Sequence, residues 1–174
     1  MFFLHLITKR LPAILIVVFM TANSMADTTN VPERNNSARS DTELLDVYKR
    51  ATCGCCGKWI THMQAQGFQT AAHDIDDLSS LKIEKGIKPR YHSCHTAITQ
   101  DGYVFEGHIP AKYIKKFLTE KPEGAIGLAV PAMPIGSPGM EMGNRFMPYA
   151  VLLLKNDGSS EIYARVRSLK EQYQ

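Results

Sequence analysis

Cys53, Cys55 and Cys56 lie inside the hexapeptide TCGCCG at residues 52–57, and Cys94 is the one other cysteine of the chain. Thiols this close serve metal binding or disulfide exchange better than they serve a structural framework. Adjacent Cys55 and Cys56 are hard to bridge without strain, and Cys53 with Cys55 is nearly as tight. Cys53 and Cys56 form a CxxC at the start of an expected helix, where free N–H groups and the helix dipole stabilise thiolate. Lys49, Arg50 and Lys58 add positive charge nearby. Such a pair suits thiol–disulfide exchange, but Cys55 is surplus to that role and would compete by forming wrong mixed disulfides.

Three converging thiolates suit a soft metal, with Cys94 and a neighbouring imidazole, His92 or His95, completing the shell. Zinc and copper(I) are the candidates. Zinc sites commonly splay their ligands from two separate knuckles; one crowded cluster favours several bridged Cu(I) ions. A second soft-donor signal comes late in the chain, where Met133, Met140, Met142 and Met147 fall in a polar, turn-rich stretch. Thioethers there are either ligands or caps on the core beneath a long loop. Met63 has the spacing of a core residue. Among the histidines, His95 and His108 are the candidate ligands, His73 reads as a hydrogen-bonded strand residue, and His62 as an exposed helix residue. Strand alternation puts His92 and Cys94 on one face and turns His95 away from it. Trp59 is expected to pack beside the cysteines, and the Asp74, Asp76 and Asp77 group to cap a helix.

The elements that must position these groups can be read from pattern. LLDVYKR is a strand, CGKWITHMQAQ a helix with apolar residues at Cys56, Ile60 and Met63, FQTAAHDID a strand, and DDLSSLKIEK a short helix. RYHSCHTAIT and YVFEG flank the turn QDG as a hairpin, and IPAKYIKKFLTE is a helix with Pro110 in its first turn and Ile114, Phe117 and Leu118 buried. The order β-α-β-α-β-β-α is that of an α/β, thioredoxin-like domain, with the cysteines at its first strand-to-helix junction. From about residue 123 a C-terminal β/loop extension follows: AIGLAV, a Pro/Gly/Met-rich loop, then YAVLLLK and EIYARV around NDG. The extension packs on the same core, giving one domain over 43–174.

Residues 1–42 stand apart. Lys9 and Arg10 precede an apolar run from Leu11 to Met20, and SMA places small residues before Asp27. This is the pattern of a cleaved secretory signal peptide over 1–26, and the run is too short for a bilayer core of about 30 Å. Residues 27–42 are polar and aperiodic, a flexible linker. Processing removes Lys9 and Arg10 and no acid, so 20 basic residues become 18 against 17 acidic ones. A net charge near +1 leaves no basic stripe for nucleic acid, and no stable membrane span is expected after processing. A composition of 44% apolar and 21% charged residues supports one core that needs no disulfide to fold.

CGCC at 53–56, SCHTA at 93–97, EGHIPA at 106–111 and GLAVPAMPIGSPGME at 127–141 together resemble the periplasmic CopG-type copper-resistance proteins, a family marked by a CxCC motif. The resemblance implies a thioredoxin-like domain whose extension helps hold a cysteine-bridged cluster of several copper ions. It implies interconversion of Cu(I) and Cu(II), hence a copper-dependent oxidoreductase, in a periplasmic protein that meets copper efflux or electron-transfer partners. It assigns Cys53, Cys55, Cys56 and Cys94 to the metal, and His95, Met133 and Met140 beside them. A thiol–disulfide oxidoreductase using Cys53 and Cys56, and a zinc-stapled structural domain, are the competing readings of the same residues.

Overall fold

The computed structural model describes residues 43–173; the expected signal peptide and linker lie outside the described residues. β1 (Leu44–Lys49) leads into α1 (Gly54–Ala65) and β2 (Gln69–Asp74) into α2 (Leu78–Glu84). β3 (His95–Thr99) and β4 (Val104–Glu106) precede α3 (Ala111–Glu120), and β5 (Ala125–Ala129), β6 (Tyr149–Lys155) and β7 (Ser160–Val166) follow. The architecture is mixed α/β, with the strands in one sheet of order β2-β1-β3-β4-β5-β6-β7. β1 with β2 and β4 with β5 are parallel, each pair joined through a helix, and the remaining neighbours are antiparallel. The extension therefore adds β5, β6 and β7 to the same sheet.

Strand alternation sends successive residues to opposite faces, and both faces are covered. Phe105, Leu128 and Leu153 join the main core with Trp59 and Met63 of α1 and Ile114 and Phe117 of α3. Their neighbours Val104, Ala129 and Leu154 pack on the other side with Ile87 and Tyr91, from the segment after α2. Phe117 stands edge-on to both Tyr103 and Phe105; a large aromatic so enclosed carries about 3–5 kcal/mol of stability against truncation to alanine. Asp77 caps α2 as expected, accepting a 3.0 Å bond from the Ser80 N–H. Trp59 is fully buried and donates its indole N–H to the Ile109 carbonyl at 2.9 Å, tying α1 to the segment before α3.

Two expectations need correction. The strand expected from Arg90 begins only at His95, because Pro89–Tyr91 form a 3-10 turn. The His92 ring bonds the Ile87 carbonyl at 3.0 Å, so alternation does not govern residues 92–94. His62 is half-buried rather than exposed, and its Nε2 accepts the Ala111 N–H at 3.2 Å at the start of α3.

Candidate metal centre

Sheet register explains why residues far apart in sequence meet. β1 and β3 are antiparallel, and Lys49 at the end of β1 pairs with His95 at the start of β3. Cys94 therefore faces the loop that carries Cys53 into α1. Thr96 pairs with Glu106, which delivers Gly107 and His108 to the same edge, and Glu106 pairs with Ala129, which delivers the loop over 131–148. Each motif seen in the sequence thus leaves the sheet at one end.

At that end the four cysteine sulfurs lie within 4.8 Å of one another. Cys53 and Cys56 are joined as a disulfide, while Cys55 and Cys94 are free thiols. Cys55 Sγ stands 3.5 Å from Cys53 Sγ and 3.8 Å from Cys94 Sγ. Cys56 is fully buried on the core side of α1, and Cys53, the residue just before the helix, is half-buried. Burial, followed by the neighbouring Cys55 thiol, pushes the Cys94 thiol up to about 12. It stays protonated until a cation replaces the proton.

Two imidazoles approach Cys94 from the strand side. His108 Nε2 is 3.0 Å and His95 Nδ1 is 3.3 Å from Cys94 Sγ, and the three side chains form a second grouping compatible with a metal ion. His108 Nδ1 lies 2.8 Å from the Pro138 carbonyl, which only accepts, so Nδ1 carries the proton and Nε2 presents its lone pair to the sulfur. His95 is fully buried, tilted against Trp59 at 4.4 Å and edge-on to His108 at 5.0 Å. Its Nε2 is a buried polar atom without a hydrogen-bond partner. Burial first, then repulsion from His108 in its protonated form and from the Lys82 ammonium, holds His95 well below the ordinary imidazole range. Burial also lowers His108, against the opposing pull of Pro138 and Glu141. Both rings are neutral near pH 7, the form that ligates.

A buried ion pair sets the position of Cys94. Lys82 of α2 and Glu106 of β4 are almost wholly enclosed and bonded to each other. Lys82 Nζ also donates to the Ser93 carbonyl at 3.0 Å, and Glu106 accepts the Ser93 N–H at 2.5 Å and the Thr96 hydroxyl at 2.7 Å. Both backbone polar groups of the residue before Cys94 are thereby held. Gly107 closes this corner: a Cβ there would meet the Val130 carbonyl at 2.5 Å and the Ser93 side chain at 2.6 Å. Nothing in the pattern of α2 marks Lys82 as other than a surface lysine, and only its distant partner reveals it.

The late loop rests on the cysteine loop through Gly139, whose missing Cβ would lie 2.7 Å from the Cys55 carbonyl and 2.8 Å from the Trp59 nitrogen. Met140 and Met142 then line an open groove of about 270 Å³ with Cys55 and Lys58. Met133 and Met147 lie on the same loop, each about half exposed. A second groove of about 340 Å³ opens at Cys53 and Cys94 and is lined by Arg50, Ser79 and Lys82 among others. Of the sequence-derived candidates, the structure gathers the four cysteines, His95 and His108, sets Met140 beside Cys55, and leaves Met133 at the loop surface. His73 takes the expected structural role, bonded to Asp46 at 2.7 Å and stacked on Tyr48.

No curated protein matches the chain. Residues 91–140 match a family described as a protein of unknown function, DUF411. Two solved structures are similar over most of the chain: copper resistance protein CopG form 1, at 41% identity and TM-score 0.67, covers 72% of this chain and 98% of its own. Form 2, at 39% identity and TM-score 0.69, covers 73% of this chain and 100% of its own. With identity at that level over essentially the whole of those chains, and with the cysteine motif at the carboxyl end of β1, this chain belongs to the CopG family of copper-resistance proteins.

Proposed function

We propose that this chain is a copper-binding protein of copper resistance, in which Cys53, Cys55, Cys56 and Cys94 hold several copper ions between them. The observation that carries this reading is the convergence of four sulfurs within 4.8 Å, from two segments that the sheet register brings together. His95, His108 and Met140 complete the shell, and Met133 serves from the loop rim. Soft thiolates hold Cu(I), while imidazole nitrogen accepts Cu(II), so a mixed shell accommodates both states and permits redox turnover. Cys94 gives up its proton on binding, so copper uptake acidifies the solution. The scaffold is a thioredoxin-like domain, delivered to the periplasm once residues 1–26 are removed. Copper efflux or electron-transfer proteins are the expected partners.

The test is metal analysis of protein isolated without added metal, together with absorbance and spin resonance before and after oxidation. Copper above one ion per chain with sulfur-to-copper charge-transfer bands is the expected result; zinc alone would favour a structural staple. One observation supports a second reading, the disulfide between Cys53 and Cys56. It fits a thiol–disulfide oxidoreductase whose copper is incidental, and substitution of Cys55 separates the two readings.

A further inference from the structure

We infer that the four cysteines work as two pairs, and that Cys53 and Cys56 are a built-in electron store with which the protein reduces Cu(II) to Cu(I). The inference rests on the copper-holding reading and goes beyond it by naming the source of the electrons. Its starting point is an asymmetry among sulfurs that otherwise share one site. Cys53 and Cys56 are joined, with α carbons 5.4 Å apart, within the span a disulfide bridges. Cys55 and Cys94 remain free, and Cys94 is the sulfur that touches both His95 and His108.

Oxidation of the first pair therefore leaves a smaller donor set intact: two thiols and two neutral imidazoles. The protein thus has a reduced state with four sulfur donors and an oxidised state with two. Reduced protein takes up two Cu(II) ions. Cys53 and Cys56 each give one electron, their sulfurs join, their two protons pass to solvent, and two Cu(I) ions result. Cys55, Cys94 and the imidazoles retain Cu(I) in the oxidised state with fewer sulfurs, so the step that reduces the metal also loosens the shell that holds it.

Burial also indicates how the pair is reset. Cys53 lines the groove of about 340 Å³, whereas Cys56 is fully enclosed, so an incoming thiolate reaches the Cys53 sulfur. The bond to Cys56 breaks and Cys56 leaves as thiolate in the first turn of α1, where the helix N-terminus stabilises it. A second thiol of the same reductant then displaces Cys53, leaving the reductant as a disulfide and both cysteines reduced. The co-reactant is a dithiol, and the groove that admits it carries Arg50, Ser79 and Ser93 on its walls.

The test uses the reduced, metal-free chain without oxygen, in two arms. One arm receives Cu(I) as its acetonitrile complex and the other Cu(II) sulfate. Spin resonance follows Cu(II), a Cu(I)-specific chelator reports Cu(I), thiols are counted after denaturation, and peptide mass mapping locates any disulfide. In the second arm the expected result is two Cu(II) consumed, two Cu(I) formed and two thiols lost per chain. Cys53 and Cys56 should be linked, and Cys55 and Cys94 should still be open to alkylation. Cys53→Ser/Cys56→Ser should slow Cu(I) formation by about tenfold or more, because its remaining thiols are the metal-holding pair. Retention of all four thiols, or a linkage through Cys55 or Cys94, would overturn the inference while Cu(I) retention in the first arm leaves the copper-holding reading standing. Failure of the first arm to retain Cu(I) would overturn both.

Discussion

Cys55 and Cys94 are separated by 39 residues, yet their sulfurs stand 3.8 Å apart. The contact depends on the antiparallel pairing of β1 with β3, because Cys94 directly precedes β3 and Cys55 sits in the first turn of α1, the helix that follows β1. The core of the domain rests on Trp59, Phe105, Phe117 and their neighbours and does not involve Cys94. Cys94→Ser should therefore remove copper without unfolding the protein. Copper per chain should fall by at least one ion while far-UV circular dichroism stays unchanged, and unaltered copper content would make Cys94 a bystander.

Lys82 and Glu106 make a different prediction. Lys82→Met leaves a buried carboxylate without its charge partner, which costs about 3–5 kcal/mol in comparable buried pairs and should appear as a large drop in the thermal midpoint. Lys82→Met/Glu106→Leu removes both charges and should recover most of that loss. The double variant should still bind copper less well than the parent, because both backbone groups of Ser93 lose their side-chain partners.

Much of this was legible in the sequence, and the part that was not has a common cause. The order of strands and helices followed from apolar spacing and from Gly and Pro punctuation, and the cysteine spacing announced a reactive site. The pattern of residues 90–94 is compatible with a strand, yet β3 begins only at His95; Pro89 and the bond from His92 to Ile87 decide otherwise. The Lys82–Glu106 pair, the bond from His62 to Ala111 and the approach of His108 to Cys94 are long-range contacts. They depend on how distant strands and helices come together in the fold, which local pattern does not encode.

The buried histidines set a pH dependence for the metal-free protein. His95 is held below its ordinary value of 6.5 chiefly by burial, so the unfolded chain binds its proton more readily than the folded one. Its contribution to stability is complete above about pH 6.5 and is lost as pH falls toward the folded value. His62 and His108 shift in the same direction, also chiefly through burial. The thermal midpoint should fall on acidification from about pH 7 to about pH 5, and His95→Asn should make that fall shallower. A slope unchanged by the substitution would assign the dependence to other groups.

Export makes a prediction of its own. On the signal-peptide reading of the charged start, the apolar run and the small residues before Asp27, processing follows Ala26. Intact mass of the protein recovered from the periplasm should correspond to a chain beginning at Asp27. A mass that still includes Leu11 to Met20 would contradict the signal-peptide reading.

Cys55 offers the most direct test of the central claim, that these cysteines exist to hold copper. It is a free thiol between the Cys53 and Cys94 sulfurs, where the proposed function needs a bridging ligand, and disulfide exchange between Cys53 and Cys56 does not need it. The measurement is copper per chain in Cys55→Ser beside the parent, with dithiol-driven disulfide reductase activity assayed on the same samples. A copper-holding protein loses copper and its charge-transfer absorbance, because the geometry of a metal shell leaves no neighbour to replace a bridging sulfur. Full copper binding in Cys55→Ser, together with undiminished reductase activity, would contradict the account and make the protein a disulfide oxidoreductase.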